Sequence, residues 1–450
     1  MRRVLIVCPH FPPVAAPDAQ RVRMSLPYYR AHGWEPVVLC VGDAWQDGAR
    51  EPELERTIPA DVRVIRIPAF SSRWTRCLGV RNLGLRSWIS FFFRGSRLLA
   101  RERFDLVFFS NTQFVTFTLG RLWRWRHGVP YVLDLQDPWR TDRYEQPGAG
   151  PPPGGWKYQC ARFMAWGLEG WSLARAAGLV SVSPRYLADL RKRYPALRAV
   201  PSAVIPFGAS RRDLAAALAL PSPAHRLPSE PGVVNVLYTG AAGPVTPDAL
   251  SVLFAGLRRY RAEKPERARR LRFHFFGTSY VAAGHGKNAV VPLAAAEGVA
   301  DQVHEIPHRL GHLECLRLQR EADVLLLPGS IDPAYSPSKL HPYYLADRPM
   351  LGLVFPDSVL EKELTSLDCA VLVRLPRAGA GLEAQAALAH FFDAALEGFP
   401  AGFLPRRNDA FFERHGLAEP LTRDQCALFD AALAPAASAA APSGGPALLP

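Results

Sequence analysis

Two Rossmann-like α/β domains in tandem, each a doubly wound parallel sheet covered by helices, are predicted by three features of the sequence. Short apolar runs alternate with longer helix-period segments, twice along the chain. The runs are apolar throughout instead of at every second residue, as strands buried on both faces require. Between the two series, residues 209–232 turn to Ala, Pro, Ser and Arg and lose their period. A chain of 450 residues is also too long for one core.

In the first series, strands are expected at 4–9, 36–41, 62–67, 106–110, 131–136, 179–182 and 204–207. Helices fall at 18–31, 85–101, 115–126, 158–175 and 185–193. The second series has strands at 233–239, 271–276, 303–306, 324–327, 350–354 and 370–374. Its helices fall at 247–262, 290–297, 313–321, 338–346, 359–366 and 382–397. The domains are therefore 1–208 and 233–400, with 209–232 as linker, a helical segment across 401–434, and an Ala/Pro/Ser/Gly-rich tail, 435–450, expected to be disordered.

Composition narrows the class. Apolar residues make up 48% and charged residues 21%, which fits a well-buried globular protein. The seven Cys are scattered without a C-x-x-C pair, as expected of a reduced, cytoplasmic protein without structural zinc. The apolar stretch Val4 to Cys8 is too brief for a signal peptide, and no run reaches the length that spans a bilayer. Much of the net charge of +13 is local, since residues 73–127 hold eleven Arg against Glu102 and Asp105. Trp74, Trp88, Phe91, Phe92, Phe93, Trp123 and Trp125 are interleaved with them. Such a face suits an anionic membrane surface, on the inner side of the cell membrane. It equally describes core-facing aromatics behind a solvated Arg face. No nucleic-acid module accompanies it, so no nucleic-acid partner is expected.

In doubly wound sheets ligands sit beyond the carboxyl ends of the strands, so the loops there are where chemistry is sought. In the second domain, Tyr335-Ser-Pro-Ser-Lys339 feeds a helix that stops at Pro349. Ser336 and Ser338 are placed to cap that helix, and Lys339 adds a full positive charge, which together suit a diphosphate. The same residues also fit an ordinary capped helix. Gly240 and Gly243 are small enough for a close backbone approach, as are Gly277-Thr278-Ser279 after another strand. Tyr335 and Tyr343 can stack or hydrogen-bond on a base or sugar, or equally belong to the core. In the first domain, His10 follows the first strand and is a candidate base or hydroxyl ligand, or a structural loop residue. Asp137, Trp139 and Arg140 follow the strand at 131–136, offering a carboxylate, a sugar platform and a phosphate ligand. His304, His308 and His312 are spaced as on one helix, but Pro307 and Gly311 break it, and Asp134 and Asp137 are not an Asp-x-Asp pair. No metal is expected.

These elements together resemble GT-B glycosyltransferases of the retaining, family-four type. Ser336-Pro-Ser-Lys339 is similar to the family's diphosphate-binding turn, Thr239-Gly-Ala-Ala-Gly243 to its "T-G-x-x-G" loop, and the strand end at Gly277-Thr278-Ser279 to its "F-x-G-T-S" ending. Phe11-Pro-Pro with Arg21 resembles the family's acceptor-side entry, Asp137-Pro-Trp its "D-x-x-D-P-W" element, and Ser183-Pro-Arg-Tyr-Leu187 its "S-x-x-Y-L" helix opening. The resemblance covers roughly residues 1–400. It implies a nucleotide diphosphate sugar as donor, no further cofactor, and transfer with retention to a polysaccharide, lipid-linked or secondary-metabolite acceptor.

Gly240, Gly243, Gly277, Thr278, Tyr335, Ser336, Ser338, Lys339 and Tyr343 are then the donor-binding residues. His10, Arg21, Asp137, Trp139 and Arg140 are acceptor-binding, and Lys339, Asp137 and His10 the candidates for catalysis. It also implies that the last helices cross back onto the first domain. The sequence departs from the family at Pro342, where relatives carry a ribose-binding Glu: either another carboxylate such as Asp332 substitutes, or nucleotide recognition is altered, or activity is lost. A nucleotide-sugar epimerase of the same build, or a non-catalytic sugar-nucleotide-binding protein, are the alternatives.

Overall fold

The computed structural model describes residues 1–77, 79–140, 155–221, 224–242, 246–279, 286–333, 335, 337–377 and 381–434. The first domain carries strands β1 (Arg2–Val7), β2 (Trp34–Val41), β3 (Arg63–Ile67), β4 (Leu106–Ser110), β5 (Tyr131–Leu135), β6 (Gly178–Ser181) and β7 (Ser202–Val204). Its helices are α1 (Gln20–Ser25), α2 (Ser72–Cys77), α3 (Leu83–Arg101), α4 (Thr118–His127), α5 (Trp156–Leu173) and α6 (Pro184–Arg193). After α7 (Arg211–Leu218), the second domain has β8 (Val234–Thr239), β9 (Leu271–Phe276), β10 (Val303–Ile306), β11 (Val324–Pro328), β12 (Met350–Val354) and β13 (Val371–Arg374). Between and after these strands come α8 (Pro247–Glu263), α9 (Pro265–Ala268), α10 (Val291–Ala296), α11 (His312–Glu321), α12 (Leu340–Ala346), α13 (Val359–Leu367), α14 (Leu382–Leu396), α15 (Asp409–His415) and α16 (Ala418–Leu433).

All pairings are parallel, in the orders β3-β2-β1-β4-β5-β6-β7 and β10-β9-β8-β11-β12-β13. The apolar runs explain the layering. Along β1, Val4 and Ile6 join one cluster while Leu5 and Val7 join the cluster on the opposite face. Val324 and Leu326 of β11 face one way, Leu325 and Leu327 the other. Each sheet reverses its strand order once, between β1 and β4 and between β8 and β11. Those two switch points are where such sheets leave a crevice.

The last helix lies on the first domain. Phe429 of α16 is fully buried, edge-on to Trp34 at 5.3 Å and to Phe108 at 5.0 Å, and Trp34 Nε1 donates to Asp430 at 3.1 Å. Burying that ring contributes about 2 kcal/mol to holding the crossing.

Several boundaries differ from expectation for local reasons. The helix expected over 18–31 is only Gln20–Ser25, because Pro27 ends it and a 3-10 turn at Tyr29–His32 follows. The expected linker contains α7, capped by the Ser210 hydroxyl on Asp213 N at 3.2 Å. Strand β7 is Ser202–Val204, not 204–207. The helix after Lys339 begins at Leu340, with Lys339 as its N-terminal cap residue and no side-chain cap, so Ser338 does not close it. The tail 435–450 lies outside the described residues.

Candidate active site

A cleft of about 2000 Å³ opens at the carboxyl ends of both sheets and takes its walls from both domains. His10 follows β1, Thr112 follows β4, Asp137, Trp139 and Arg140 follow β5, and Tyr186 follows β6. Opposite them stand Ala241 after β8, Thr278 after β9, Arg309 after β10, and Asp332, Tyr335, Ser338 and Lys339 after β11. The two switch points therefore face one space.

On the second-domain wall, Lys339 crosses the turn after β8. Gly240 there has φ +131, and a Cβ on it would meet Lys339 Cε at 1.8 Å, so only glycine lets the lysine lie across the backbone. The ammonium stands 5.6 Å from the Tyr238 ring centre. Among the described residues it forms no ion pair. Burial, and then the positive charge of Arg309, lower its pKa to about 8. The helix it precedes has only seven residues, so the positive field here comes from the side chains. Arg309 is a further cation of this wall, which also holds Lys287, and sequence reasoning missed it. A lone Arg in a loop carries no pattern, but its position just after a strand of this kind of sheet was the available signal.

Some of the other expected donor residues sit behind the surface of the cleft. Gly240 and Gly277 lie behind it, where Gly277 (φ +75) turns the chain and its N–H donates to Ile306 at 2.8 Å. Tyr343 is fully buried. Its hydroxyl accepts from Thr239 N at 2.8 Å, so it supports the β8 turn from beneath and cannot reach a nucleotide. Thr278 lines the cleft, though its hydroxyl already donates to Glu305 at 2.5 Å. Gly243 and Ser336 lie outside the described residues.

On the first-domain wall, His10 Nδ1 is 3.0 Å from both oxygens of Asp18, a carboxylate that also accepts from Thr112 N at 3.3 Å and Thr112 Oγ1 at 3.1 Å. Burial pushes the Asp18 carboxyl up, but the imidazole and the Thr112 donors outweigh it and hold it below its ordinary value. Asp18 was expected only as a helix start. It is the orienting partner of His10. Asp137 presents its side chain to the cleft, while the walls around it and the charge of Asp18 raise its pKa to about 6. Tyr186 is raised to about 12 by burial and by the facing carboxylates of Asp137 and Asp332, one from each domain.

Two acceptor expectations change. Arg21 is buried and ion-paired to Asp134 at 2.8 Å, and it donates to Ile205 O at 2.7 Å. Its guanidinium ties α1 to the chain leaving the domain and is closed to any acceptor. Trp139 lines the cleft, but its ring stacks on Phe114 at 5.5 Å and meets Phe117 edge-on at 6.0 Å, which makes it a fixed wall.

The relative placement of the walls is fixed by polar contacts across the domains. Glu51 of the first domain accepts from His312 N at 2.6 Å and Leu313 N at 2.8 Å, capping α11 of the second. Beneath it, Arg23 pairs with Asp213 of α7, which also meets His312 Nε2 at 3.0 Å. His304, His308 and His312 are split between β10, a loop and α11.

Residues 19–208 match the glycosyl transferase 4-like domain. No curated protein matches the sequence. Among solved structures, HepE from Anabaena, determined with UDP and glucose, aligns over 96% of this chain and 100% of its own, with TM-score 0.59 at 12% identity. The UDP-forming trehalose-phosphate synthase of Burkholderia xenovorans aligns over 95% and 100%, with TM-score 0.61 at 12% identity. WaaG, a glycosyltransferase of lipopolysaccharide biosynthesis, aligns over 94% of each chain, with TM-score 0.50 at 14% identity. These likenesses establish the fold, and the domain match identifies the first lobe. Residues 19–208 thus carry a glycosyl transferase 4-like domain, and with a second Rossmann-like lobe closing the cleft the whole chain has the GT-B architecture.

Proposed function

We propose that this enzyme moves a sugar from a nucleotide diphosphate sugar, held by the second domain, to an acceptor held by the first. The observation that carries the donor half is Lys339, a cation lying over Gly240 at the β8/β11 switch point without a carboxylate partner among the described residues. A half-buried, unneutralised ammonium is costly unless an anion completes it. As the glycosidic bond breaks, the departing diphosphate gains negative charge, which Lys339 and Arg309 offset without reorganising. Their joint charge supplies what a divalent ion supplies elsewhere, so we expect transfer to survive a chelator. HepE, determined with UDP and glucose, and the UDP-forming trehalose-phosphate synthase make a uridine nucleotide the first donor to try. Asp332 lines the same wall and is the carboxylate we assign to the ribose hydroxyls, where Pro342 offers none.

In the retaining mode the leaving phosphate takes the acceptor proton. A second reading has specific support. His10, held by Asp18 through Nδ1, is a base with its other nitrogen available, which is what inversion requires. The anomeric configuration of the product, read by proton NMR, separates the two.

The protein is also proposed to work on a membrane surface. Among the described residues no helix is long and apolar enough to cross a bilayer. Yet Trp125 is 83%, Trp74 81% and Phe163 75% exposed, beside exposed Arg73, Arg76, Arg94, Arg97, Arg124 and Arg126. The acceptor is then one presented at that surface, as in polysaccharide biosynthesis.

Lys339→Ala tests the donor assignment. With a panel of nucleotide sugars, kcat should fall about 10²- to 10³-fold while the melting temperature does not drop. Unchanged turnover would remove Lys339 from the mechanism.

A further inference from the structure

A second groove, of about 580 Å³, runs off the acceptor side of the cleft between the start of α3 and the face of α5. It shares Thr112, Trp139 and Arg140 with the main cleft, so the two spaces are continuous. Its floor is apolar, built from Leu85, Phe114, Val115, Ala165 and Leu168. Toward solvent it is rimmed by Phe163, Met164 and Trp166, all exposed. Its polar side chains include Arg140 at the junction with the cleft and Arg162 on α5.

We propose that this groove receives the hydrocarbon chain of a lipid-phosphate acceptor, with the phosphate at Arg140 and the reacting hydroxyl or phosphate oxygen in the cleft beyond it. The inference rests on the glycosyl-transfer reading and specifies its acceptor. Three observations commit the groove to that occupant. Its polar end opens into the cleft at a guanidinium, which is complementary to an anion. Its other end is rimmed by apolar side chains that water does not favour, as a chain leaving for a bilayer requires. The helix face that lines it continues outward, since Leu85, Ile89 and Phe93 recur at intervals of one turn along α3, and the last two are exposed. A polar glycan acceptor would leave this whole surface without a partner.

The test uses the full chain and its intrinsic tryptophan fluorescence. Ligands are a long-chain polyprenyl phosphate and dimethylallyl phosphate, each in phosphatidylcholine vesicles or buffer as solubility dictates, together with phosphatidylglycerol vesicles lacking prenyl phosphate. Ala161→Trp places a bulky ring over the groove from an exposed helix position, where folding is not at stake. The long-chain phosphate should bind wild type at least tenfold more tightly than the short one. Ala161→Trp should remove about tenfold of that affinity, equivalent to losing roughly two buried methylenes at ~0.8 kcal/mol each. Binding of the short phosphate and of lipid alone should not change, and Ala161→Ser should behave as wild type. Equal affinity for the two chain lengths would overturn the proposal. So would an Ala161→Trp effect of the same size on vesicles lacking prenyl phosphate, which would make the groove a general bilayer contact. Chain-length discrimination without turnover of any nucleotide sugar would instead overturn the transferase reading and leave the groove standing.

Discussion

Lys339 and Asp137 are the residues whose environments make the site respond to pH. A lysine whose pKa is lowered by folding destabilises the fold at pH values where it is charged. For Lys339 this penalty is fully present below about pH 8 and fades as pH rises toward its unfolded value. A bound diphosphate favours the charged form, so binding above pH 8 must take up a proton. Nucleoside diphosphate affinity measured by calorimetry should therefore be flat below pH 8 and fall up to tenfold per unit above it. Affinity that stays flat to pH 9.5 would mean that the ammonium does not meet the phosphates. Asp137 works at the opposite limb, since its carboxyl, raised to about 6, loses its charge as pH drops through that value. If acceptor binding or proton transfer needs the carboxylate, kcat/KM falls about tenfold per unit below pH 6, and Asp137→Asn removes that limb. An acid limb that survives in Asp137→Asn would assign it to another group. At this scale the sequence was partly legible. Lys339, Tyr335, Asp137 and His10 came out lining the cleft, because a strand end fixes where the next few side chains emerge. Arg21 did not, because a cation near a helix start looks the same whether it meets solvent or a buried Asp134 more than a hundred residues away.

At the scale of elements, the decisive contact is one that no local pattern announces. Glu51 stands just before a 3-10 turn of the first domain, Pro52–Thr57, yet its carboxylate completes the first turn of α11 in the second. A Cβ on Gly311 would meet Glu51 Oε1 at 2.6 Å, so the helix start is shaped for that carboxylate. Losing such a cap costs about 1 kcal/mol, and removing its charge from a helix N-terminus adds a few tenths. Because the cap bridges domains, Glu51→Ala should act on their arrangement more than on either core. Small-angle scattering should show a larger radius of gyration, and donor KM should rise several-fold while the melting temperature drops only a few degrees. An unchanged scattering curve with unchanged KM would show the clasp to be dispensable. The strands and most helices were readable because a period of apolar residues is a local quantity. The helix Arg211–Leu218 inside the supposed linker was not, because its stability comes from Asp213 meeting Arg23 and His312, partners that the chain brings together only after both domains form.

Across the whole molecule, the question is how the basic, aromatic side of the first domain relates to the cleft. The sequence reading left its aromatics either outward or inward, and the fold divides them. Trp123 and Phe91 are fully buried and Trp88 stacks on Phe92, whereas Trp74, Phe93 and Trp125 stand in solvent among exposed arginines. A core needs only one face of each helix, so period alone could not say which aromatics lay beyond it. Outward indoles beside guanidinium groups suit the headgroup layer of a bilayer, where each arginine near an anionic surface contributes about 1 kcal/mol and the field dies within a Debye length. Binding should therefore depend on both terms together. Vesicles containing phosphatidylglycerol should sediment the protein at low salt, phosphatidylcholine alone should bind at least tenfold less, and raising salt toward 0.5 M, which shortens the Debye length to about 4 Å, should release most of it. Replacing Trp125 and Phe93 by Ser should weaken binding even at low salt, because the indole and phenyl rings supply the apolar term that salt does not screen. If the double variant sediments like wild type, the attraction is a diffuse consequence of the net charge of +13, and the exposed rings have another partner.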